Sequence, residues 1–486
     1  MPMTIDKIIE QVKKNDPKAD TDILELAYEF ADKAHEGQKR KTGEPYIQHS
    51  LHVAFTLAEI RSEIDVVVAG ILHDVPEDTN KTLADIEKNF DKKIALLVEG
   101  ITKIGTIKYR GVERYTENLK KMFIAMASDI RVIIIKFADR LHNLDSLDAL
   151  PENKRLRIAN ETMEIYVPIA ALLGMWHFKN LMEDLCFQYL YHEEYKKLQY
   201  KYDIEQKIEN KQFIQKTKNI LAPKLKEEKI NNDIKGRFKS LYSVFQKMQQ
   251  KDRKFSEIYD VFALRIITDS IADCYRIIGI IHSTWKPKSL RFKDYIAVPK
   301  PNGYRALHTT VFGPGGKVTE FQVLTKKMYD ESLYGIAAHW YYKNKKNSLE
   351  KQPKWITDVL DIMRNNPKDV EFVSNVKLGV FQNRIFVFTP KGDVIDLPEG
   401  ATPLDFAYSV HTEIGNHCTG VLINDKMAPL DSRLKSGDLI EIITDKNRTK
   451  PGRNWLKIAK TQRARSKIKF NIREQSGGIK RWIGWK

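Results

Sequence analysis

The chain has 486 residues, 42% of them hydrophobic and 30% charged, with a formal net charge of +17. That length exceeds what one hydrophobic core organises, so several domains are expected, and the positive charge favours anionic partners such as nucleotides or nucleic acid. No apolar run approaches the roughly 18 residues a membrane helix needs, Met1–Lys14 lacks a signal-peptide core, and Cys186, Cys274 and Cys418 lie too far apart for a disulfide framework, which points to a reducing cytoplasm.

The first domain, residues 1–195, reads as helical. Ile23–Ala34, Leu83–Phe90 and Tyr115–Ala127 carry apolar residues at three- and four-residue spacing. Val132–Ile135 is β-branched and imitates a buried strand. The helical patterns of Met122–Ser128 and Phe137–Leu147 on either side predict a fully buried helix segment instead. Chemistry-bearing residues punctuate this domain. His49 falls on a helix after Pro45, and His73-Asp74 precedes Glu77-Asp78. On a helix His73 stacks over Glu77 and Asp74 over Asp78, because i and i+4 share a face. Asp139 and Asn143 repeat that spacing downstream. Two imidazoles and two carboxylates suit Mn²⁺ or a similar borderline ion better than an all-oxygen Mg²⁺ site. The acid pair would orient or deprotonate a water there. The competing reading makes His49 and His73 core histidines and the acids helix caps.

Residues 196–345 form the second expected domain. Lys196–Lys235 reads as a lysine-rich helical connector, interrupted at Pro223. Strands are expected at Tyr259–Thr268 and Val318–Leu324, with turns at Asn302-Gly303 and Gly313–Gly316. Helices are expected at Arg237–Gln250 and Ile271–Trp285, which together argue a mixed α/β domain. Arg237, Lys239 and Lys247 lie on or beside one helix, where basic groups near an N-terminus cradle a triphosphate. The stretch from Arg291 to Tyr304 combines cations, an aromatic and a glycine turn, as a nucleotide site requires.

A polar linker is expected at 346–382. A small β-rich module follows at 383–446, with strands at Arg384–Thr389 and Leu439–Ile443. A basic tail occupies 447–486, where the Lys and Arg residues meet a single acid, Glu474. Arg453, Arg463, Arg465, Lys467 and Lys469 fall on an expected amphipathic helix suited to RNA phosphates, although a solvated basic helix reads the same way.

Several runs carry a resemblance. Arg40–Ile47, His73-Asp74 with Glu77-Asp78, Glu117–Leu119 and Ala138–Leu144 resemble the HD-type hydrolase half of RelA/SpoT-family alarmone enzymes. Arg291–Thr310 and Tyr334–Trp340 resemble the synthetase half of that family, and Ala401–Thr412 its TGS module. The implied architecture is an all-α hydrolase domain, a mixed α/β nucleotidyltransferase-like synthetase domain and a β-grasp-like TGS module. The resemblance covers most of residues 20 to 470, without the regulatory domains that long family members carry beyond it. It implies that His49, His73, Asp74 and Asp139 hold Mn²⁺, and that Glu77 and Asp78 serve the water attacking the 3′-pyrophosphate of (p)ppGpp. Arg40, Lys41 and Asn143 would contact that nucleotide.

In the synthetase half Arg237, Lys239, Lys247 and Arg265 would hold ATP, and Asp260 with Glu320 would hold Mg²⁺. Tyr304 would stack on the guanine of GDP or GTP, with Lys293, Lys300, Asn302 and His308 around its phosphates and ribose. Glu320 would also activate the 3′-hydroxyl. His411 would meet transfer RNA, or the module the ribosome; no membrane partner is implied. The sequence departs from the family at Pro76, at Asp145-Ser146, and at Leu324, Tyr329 and Leu333. Glu320, Gln322 and Leu324 share one face of a regular strand. Restoring the family's cation by Leu324→Arg is therefore expected to raise synthesis. Two alternatives stand beside the bifunctional reading: a hydrolase whose synthetase half only regulates, and an RNA-associated sensor with vestigial catalysis.

Overall fold

The computed structural model describes residues 2–105, 122–125, 128–205, 207–251, 262–299, 304–335, 384–390, 393–435, 437–445, 451–452 and 454–480. Asp260, Lys300, Asn302, Glu117–Leu119, 336–340 and the 346–382 linker lie outside them. The chain divides into two compact units, Met1–Ile356 and Thr357–Lys486.

The first unit opens with helices α1 (Ile5–Asn15), α2 (Asp22–Ala34), α3 (Ile47–Glu59), α4 (Ile64–Leu72), α5 (Val75–Asp78), α6 (Leu83–Asn89) and α7 (Lys92–Gly105). Further along the chain come α8 (Arg131–Asp145), α9 (Glu152–Glu161), α10 (Val167–Leu172), α11 (Trp176–Leu190) and α12 (His192–Glu205). α3 and α4 bury nearly continuous apolar stretches, Leu51–Ala58 and Val66–Leu72, so these helices lie at the centre and their neighbours cover them. The Val132–Ile135 run is helical and buried throughout, because a helix enclosed on all sides tolerates β-branched residues that propensity disfavours.

The connector differs from expectation. α13 (Lys207–Glu227) runs through Pro223 rather than breaking there, and Asn232–Phe238 is a strand, β1. Arg237 therefore sits on a strand. Local composition disfavours this strand, and pairing with its neighbour imposes it: only Ile234 is buried between exposed Asp233 and Lys235. α14 (Leu241–Lys251), β2 (Phe262–Thr268), α15 (Ile271–Thr284), β3 (Lys293–Asp294), β4 (Leu307–Phe312), β5 (Val318–Thr325) and α16 (Lys326–Tyr334) follow. The five strands form one mixed sheet in the order β1-β2-β5-β4-β3, with β2 and β5 parallel. α15 and α13 cover one face, burying Leu264, Ile266, Phe321 and Val323 against Ile277, Ile281 and Leu221.

The helical half and the sheet half meet around α16. Arg61 Nη1 lies 2.9 Å from the buried Asp330 carboxylate. Gly335, at φ +54°, presses its backbone against Leu173 and Gly174, where any Cβ would collide.

The second unit holds β6 (Arg384–Phe388), β7 (Val394–Pro398), α17 (Pro403–Val410), α18 (Thr412–Asn416), β8 (Cys418–Ile423), β9 (Lys426–Ala428) and β10 (Ile440–Thr444), then α19 (Trp455–Ile458) and α20 (Gln462–Lys480). The strands make a three-stranded sheet, β10-β8-β9, and a β6-β7 hairpin, bridged at Phe388–Leu439. The expected basic tail is not a free extension. Trp455, Ala459, Ala464 and Ile468 pack on Leu404, Tyr408 and Cys418. Buried Asp405 accepts from the Lys460 and Thr461 backbone amides, tying the start of α20 to α17. Sequence reading saw the charge of this segment, whereas its small apolar residues at helical spacing decide where it goes.

Candidate hydrolase and synthetase sites

In the helical half three parts of the chain bring the expected ligands together. His49 comes from α3, His73 and Asp74 from the link between α4 and α5, and Asp139 from α8. Ligand atoms of His49, His73 and Asp74 all fall within 4.8 Å of one another. Asp139 Oδ1 lies 3.3 Å from His49 Nε2 and 3.9 Å from His73 Nε2. Both Nε2 atoms are buried and have no hydrogen-bond partner. His73 Nδ1 donates to the Gly70 carbonyl at 2.8 Å, which leaves Nε2 facing the acids; burial lowers this imidazole, yet Asp74 and Asp139 outweigh it and push it up to about 9. His49 Nδ1 pairs with His142 Nδ1 at 2.7 Å, and burial together with His49 pushes His142 down to about 3, so it stays neutral. The imidazoles of His49 and His73 and the Asp74 carboxylate could hold a divalent cation, with Asp139 beside them and each imidazole oriented by its second nitrogen.

The carboxylates are held ionised. Burial raises the pKa of Asp139, yet Lys136, His49 and His73 outweigh it and hold the group well below the usual carboxylate range. Lys136 Nζ lies 2.7 Å from Asp139 Oδ2, and Asn143 Nδ2 donates to Oδ1 at 2.5 Å. Asp74 is likewise held low, against burial, by His73 and His49. Glu77 behaves differently. Burial at the rim of the site pushes its carboxyl up, Lys136 opposes this, and Asp74 adds to it.

α5 keeps the expected turn: the Asp78 amide donates to the Asp74 carbonyl at 2.9 Å. Pro76 lies in its first turn, where a missing N–H costs nothing. The Tyr46 hydroxyl donates to Asp78 Oδ2 at 2.6 Å and lies 2.9 Å from Asp74 Oδ2, so one side chain spans the ligand and the acid beyond it.

A cavity of about 410 Å³ opens beside this set, lined by Arg40, Lys41, Tyr46, Lys136, Asp139 and Asn143 on its polar side and by Leu150 and Ile158 on its apolar side. Arg40 Nη2 donates to Asn143 Oδ1 at 2.9 Å, linking the loop before α3 to α8. Tyr46, Lys136 and His142 escaped the sequence reading. The first and last lie inside the runs Arg40–Ile47 and Ala138–Leu144, but nothing local marks them as functional.

The sheet half builds its site by register. Directly paired residues of neighbouring strands point to the same face. One row across the sheet reads Lys235, Arg265, Gln322, His308, Lys293, and the next reads Arg237, Ala263, Glu320, Thr310. On this face Arg237 Nη1 donates to Gln322 Oε1 at 2.8 Å, and Arg265 Nη2 reaches the same oxygen at 3.5 Å. Gln322 Nε2 donates to Glu320 Oε1 at 2.9 Å, and His308 Nδ1 lies 3.4 Å from that oxygen. Tyr304 Oη and His308 Nε2 are 2.8 Å apart. Arg237, Arg265, Glu320, Tyr304, His308 and, at the edge, Lys293 therefore converge. Lys239 lies in the link to α14 and Lys247 on α14 itself.

Glu320, Gln322 and Leu324 do share a face. Leu324, however, is fully buried with Ile267, Ala306 and Met328, bordered by Tyr304 and Tyr329. It is part of an apolar floor. In the second unit His411 is exposed at the start of α18, its Nδ1 accepting from the Glu413 amide at 3.3 Å.

Comparison with known proteins agrees with this division. Residues 27–176 match the HD domain, 236–347 the region found in RelA / SpoT proteins, and 385–444 the TGS domain. The chain is 42% identical over 478 residues to a guanosine-3′,5′-bis(diphosphate) 3′-pyrophosphohydrolase of Aquifex aeolicus, covering 97% of this chain and 68% of that protein. It is 41% identical over 471 residues to a GTP pyrophosphokinase of Myxococcus xanthus, covering 96% and 62%. With the bifunctional (p)ppGpp synthase/hydrolase SpoT of Escherichia coli it shares 42% identity over 452 residues, covering 92% and 64%. The chain thus spans from 62% to 68% of the length of these relatives. No helix among the described residues is long and apolar enough to cross a membrane. With a helical HD half, a synthetase sheet and a TGS module in that order, the chain belongs to the RelA/SpoT family of alarmone enzymes.

Proposed function

We propose that the helical half removes the 3′-pyrophosphate of (p)ppGpp and that the sheet half transfers pyrophosphate from ATP to the 3′-hydroxyl of GDP or GTP. The observation that carries the first activity is the pair of buried, partnerless Nε2 atoms facing Asp74 and Asp139. His49, His73, Asp74 and Asp139 would hold Mn²⁺. Such an ion, when bound, supplies charge against the diphosphate and lowers the pKa of a water molecule. Asp78, oriented by Tyr46, and Glu77, whose carboxyl burial pushes up, sit one turn away to take and return the proton. Arg40, Lys41 and Asn143 bind the nucleotide in the adjoining cavity, and Leu150 and Ile158 offer its base an apolar wall.

For synthesis, Arg237 and Arg265 face the triphosphate, with Lys239 and Lys247 nearby, and Tyr304 stacks on guanine beside Lys293 and His308; Lys300 and Asn302 would add contacts to its phosphates and ribose. Mg²⁺ would be held by Asp260 and Glu320. Glu320 accepts the proton of the 3′-hydroxyl as that oxygen attacks the β-phosphoryl of ATP and AMP departs. The exposed His411 and the cationic side of α20 suit transfer RNA or ribosomal RNA.

Two incubations test this reading, one with ppGpp and Mn²⁺ and one with ATP, GDP and Mg²⁺, each followed by chromatographic separation. GDP and pyrophosphate are expected from the first, ppGpp and AMP from the second. An empty product trace in either arm removes that half of the proposal.

A further inference from the structure

Arg265 is in an unusual position for a cation. It lies in the middle of β2, 9% exposed, and its Nε is buried without a hydrogen-bond partner. Among the described residues it forms no ion pair, its hydrogen bond to Gln322 Oε1 is long at 3.5 Å, and its other polar side-chain contact is the Tyr329 hydroxyl. A buried guanidinium so weakly held is costly unless something else fixes and compensates it. The structure supplies one such group. The Arg265 guanidinium carbon stands 5.0 Å from the centre of the Tyr329 ring, within cation–π range.

The fold brings Tyr329 there deliberately. β5 ends at Thr325, whose hydroxyl caps α16 by accepting from the Met328 amide at 3.2 Å. That cap turns the chain sharply, so Tyr329 returns over the row that carries Arg265 and Gln322. The ring rests on the apolar floor of Ile267, Leu324 and Met328. With Leu324 sealing the floor, Arg265 has the ring on one side, Gln322 on another, and Arg237 beside it on the same amide oxygen. Two guanidiniums sharing one neutral acceptor leave their remaining donors for an anion.

We propose that Tyr329 is a positioning residue whose ring face clamps Arg265 in place, so that Arg265 and Arg237 together present their donors to the triphosphate of ATP. The clamp rests on the synthetase reading of the sheet and adds to it the group that sets ATP affinity. It acts on the phosphate donor and not on the guanine acceptor.

Binding of α,β-methylene ATP and of GDP is measured by calorimetry on the full chain, its Tyr329→Leu and Tyr329→Phe variants, and each in an Arg265→Gln background. Hydrolysis of ppGpp in the same preparations reports that the unit is folded. Tyr329→Leu is expected to weaken the ATP analogue about tenfold, while Tyr329→Phe, which keeps the ring, stays within about threefold of the natural chain. GDP affinity and ppGpp hydrolysis should hold. In the Arg265→Gln background the Tyr329→Leu effect should vanish, because a group acting through Arg265 has nothing left to position. Undiminished ATP-analogue binding by Tyr329→Leu overturns the clamp. So does an equal loss in Tyr329→Phe, or a loss that persists without Arg265. If the natural chain itself binds no ATP analogue, the synthetase reading fails and the clamp falls with it.

Discussion

The two sites solve the same problem, gathering charged groups around a diphosphate, by opposite means. The hydrolase site takes its groups from short helical segments, brought together over ranges as long as the 103 residues between Arg40 and Asn143. His73-Asp74 and Asp78 are fixed by one turn of chain, and Asn143 reaches Asp139 across the i to i+4 spacing at 2.5 Å. The synthetase site depends on five strands, joining residues up to 85 positions apart, as Arg237 and Gln322 are. The first holds its acids among buried cations and imidazoles; the second lays its cations in rows over an apolar floor. A site of the first kind depends on its helices staying packed against one another. One of the second kind depends on every strand keeping its register.

The sharpest way to break the comparison is a double dissociation. His73→Ala should abolish Mn²⁺ binding and lower ppGpp hydrolysis by about 10³-fold or more, leaving synthesis intact. Glu320→Gln should lower synthesis by about 10²–10⁴-fold and leave hydrolysis intact. Metal binding, both rates and circular dichroism on the two variants decide it. If either substitution disables both reactions in a folded protein, the sites are not separable.

Leu324→Arg bears on the apolar floor. The family's cation at this position led to the expectation that the arginine would improve synthesis. In the structure the side chain is fully buried between Tyr304 and Tyr329. A charge placed there has no partner on the floor and should cost about 3 kcal/mol of stability, with no gain in synthesis. Thermal unfolding and initial rates measure both, and a faster, equally stable variant would show that the floor can open to the nucleotides.

The smallest effect concerns the seam where α11 meets α14. Burial pushes Asp184 up to about 6, against hydrogen bonds from the Leu241 and Tyr242 amides. Because the folded state holds this proton more tightly than the unfolded chain, the contribution to stability is present below about pH 4. It is lost as pH rises through about 6. Asp184→Asn should flatten that part of the stability profile, by about 1–2 kcal/mol after allowance for partial exposure. Melting temperatures from pH 4 to 7 check it, and parallel curves for the two proteins would assign the slope elsewhere.

Legibility followed the range of the interactions. His49, His73, Asp74 and Asp139 stood out as a proposed ligand set because metal chemistry demands particular side chains, although they come from three parts of the chain up to 90 residues apart. Tyr46 was not, since its two carboxylate contacts lie 28 and 32 residues away and tyrosine has many ordinary uses. β1 was misread as helix because Asn232–Phe238 has little strand propensity of its own, and only β2 makes it a strand. The charge of the segment after the TGS module was plain. Its docking through Trp455, Ala464 and Ile468 was not, because a sparse apolar stripe gains meaning only from the surface it meets.

By itself the sequence determined the order of three domains and the chemical types offered by the helical and sheet halves, because these follow from residue identity and local motifs. Only the tertiary structure decided that Lys235, Arg265, Gln322, His308 and Lys293 stand in one row, and that Leu324 lies sealed beneath them. It alone set a tyrosine ring against a buried arginine. Strand register and burial are set by partners distant along the chain, and no local window contains them.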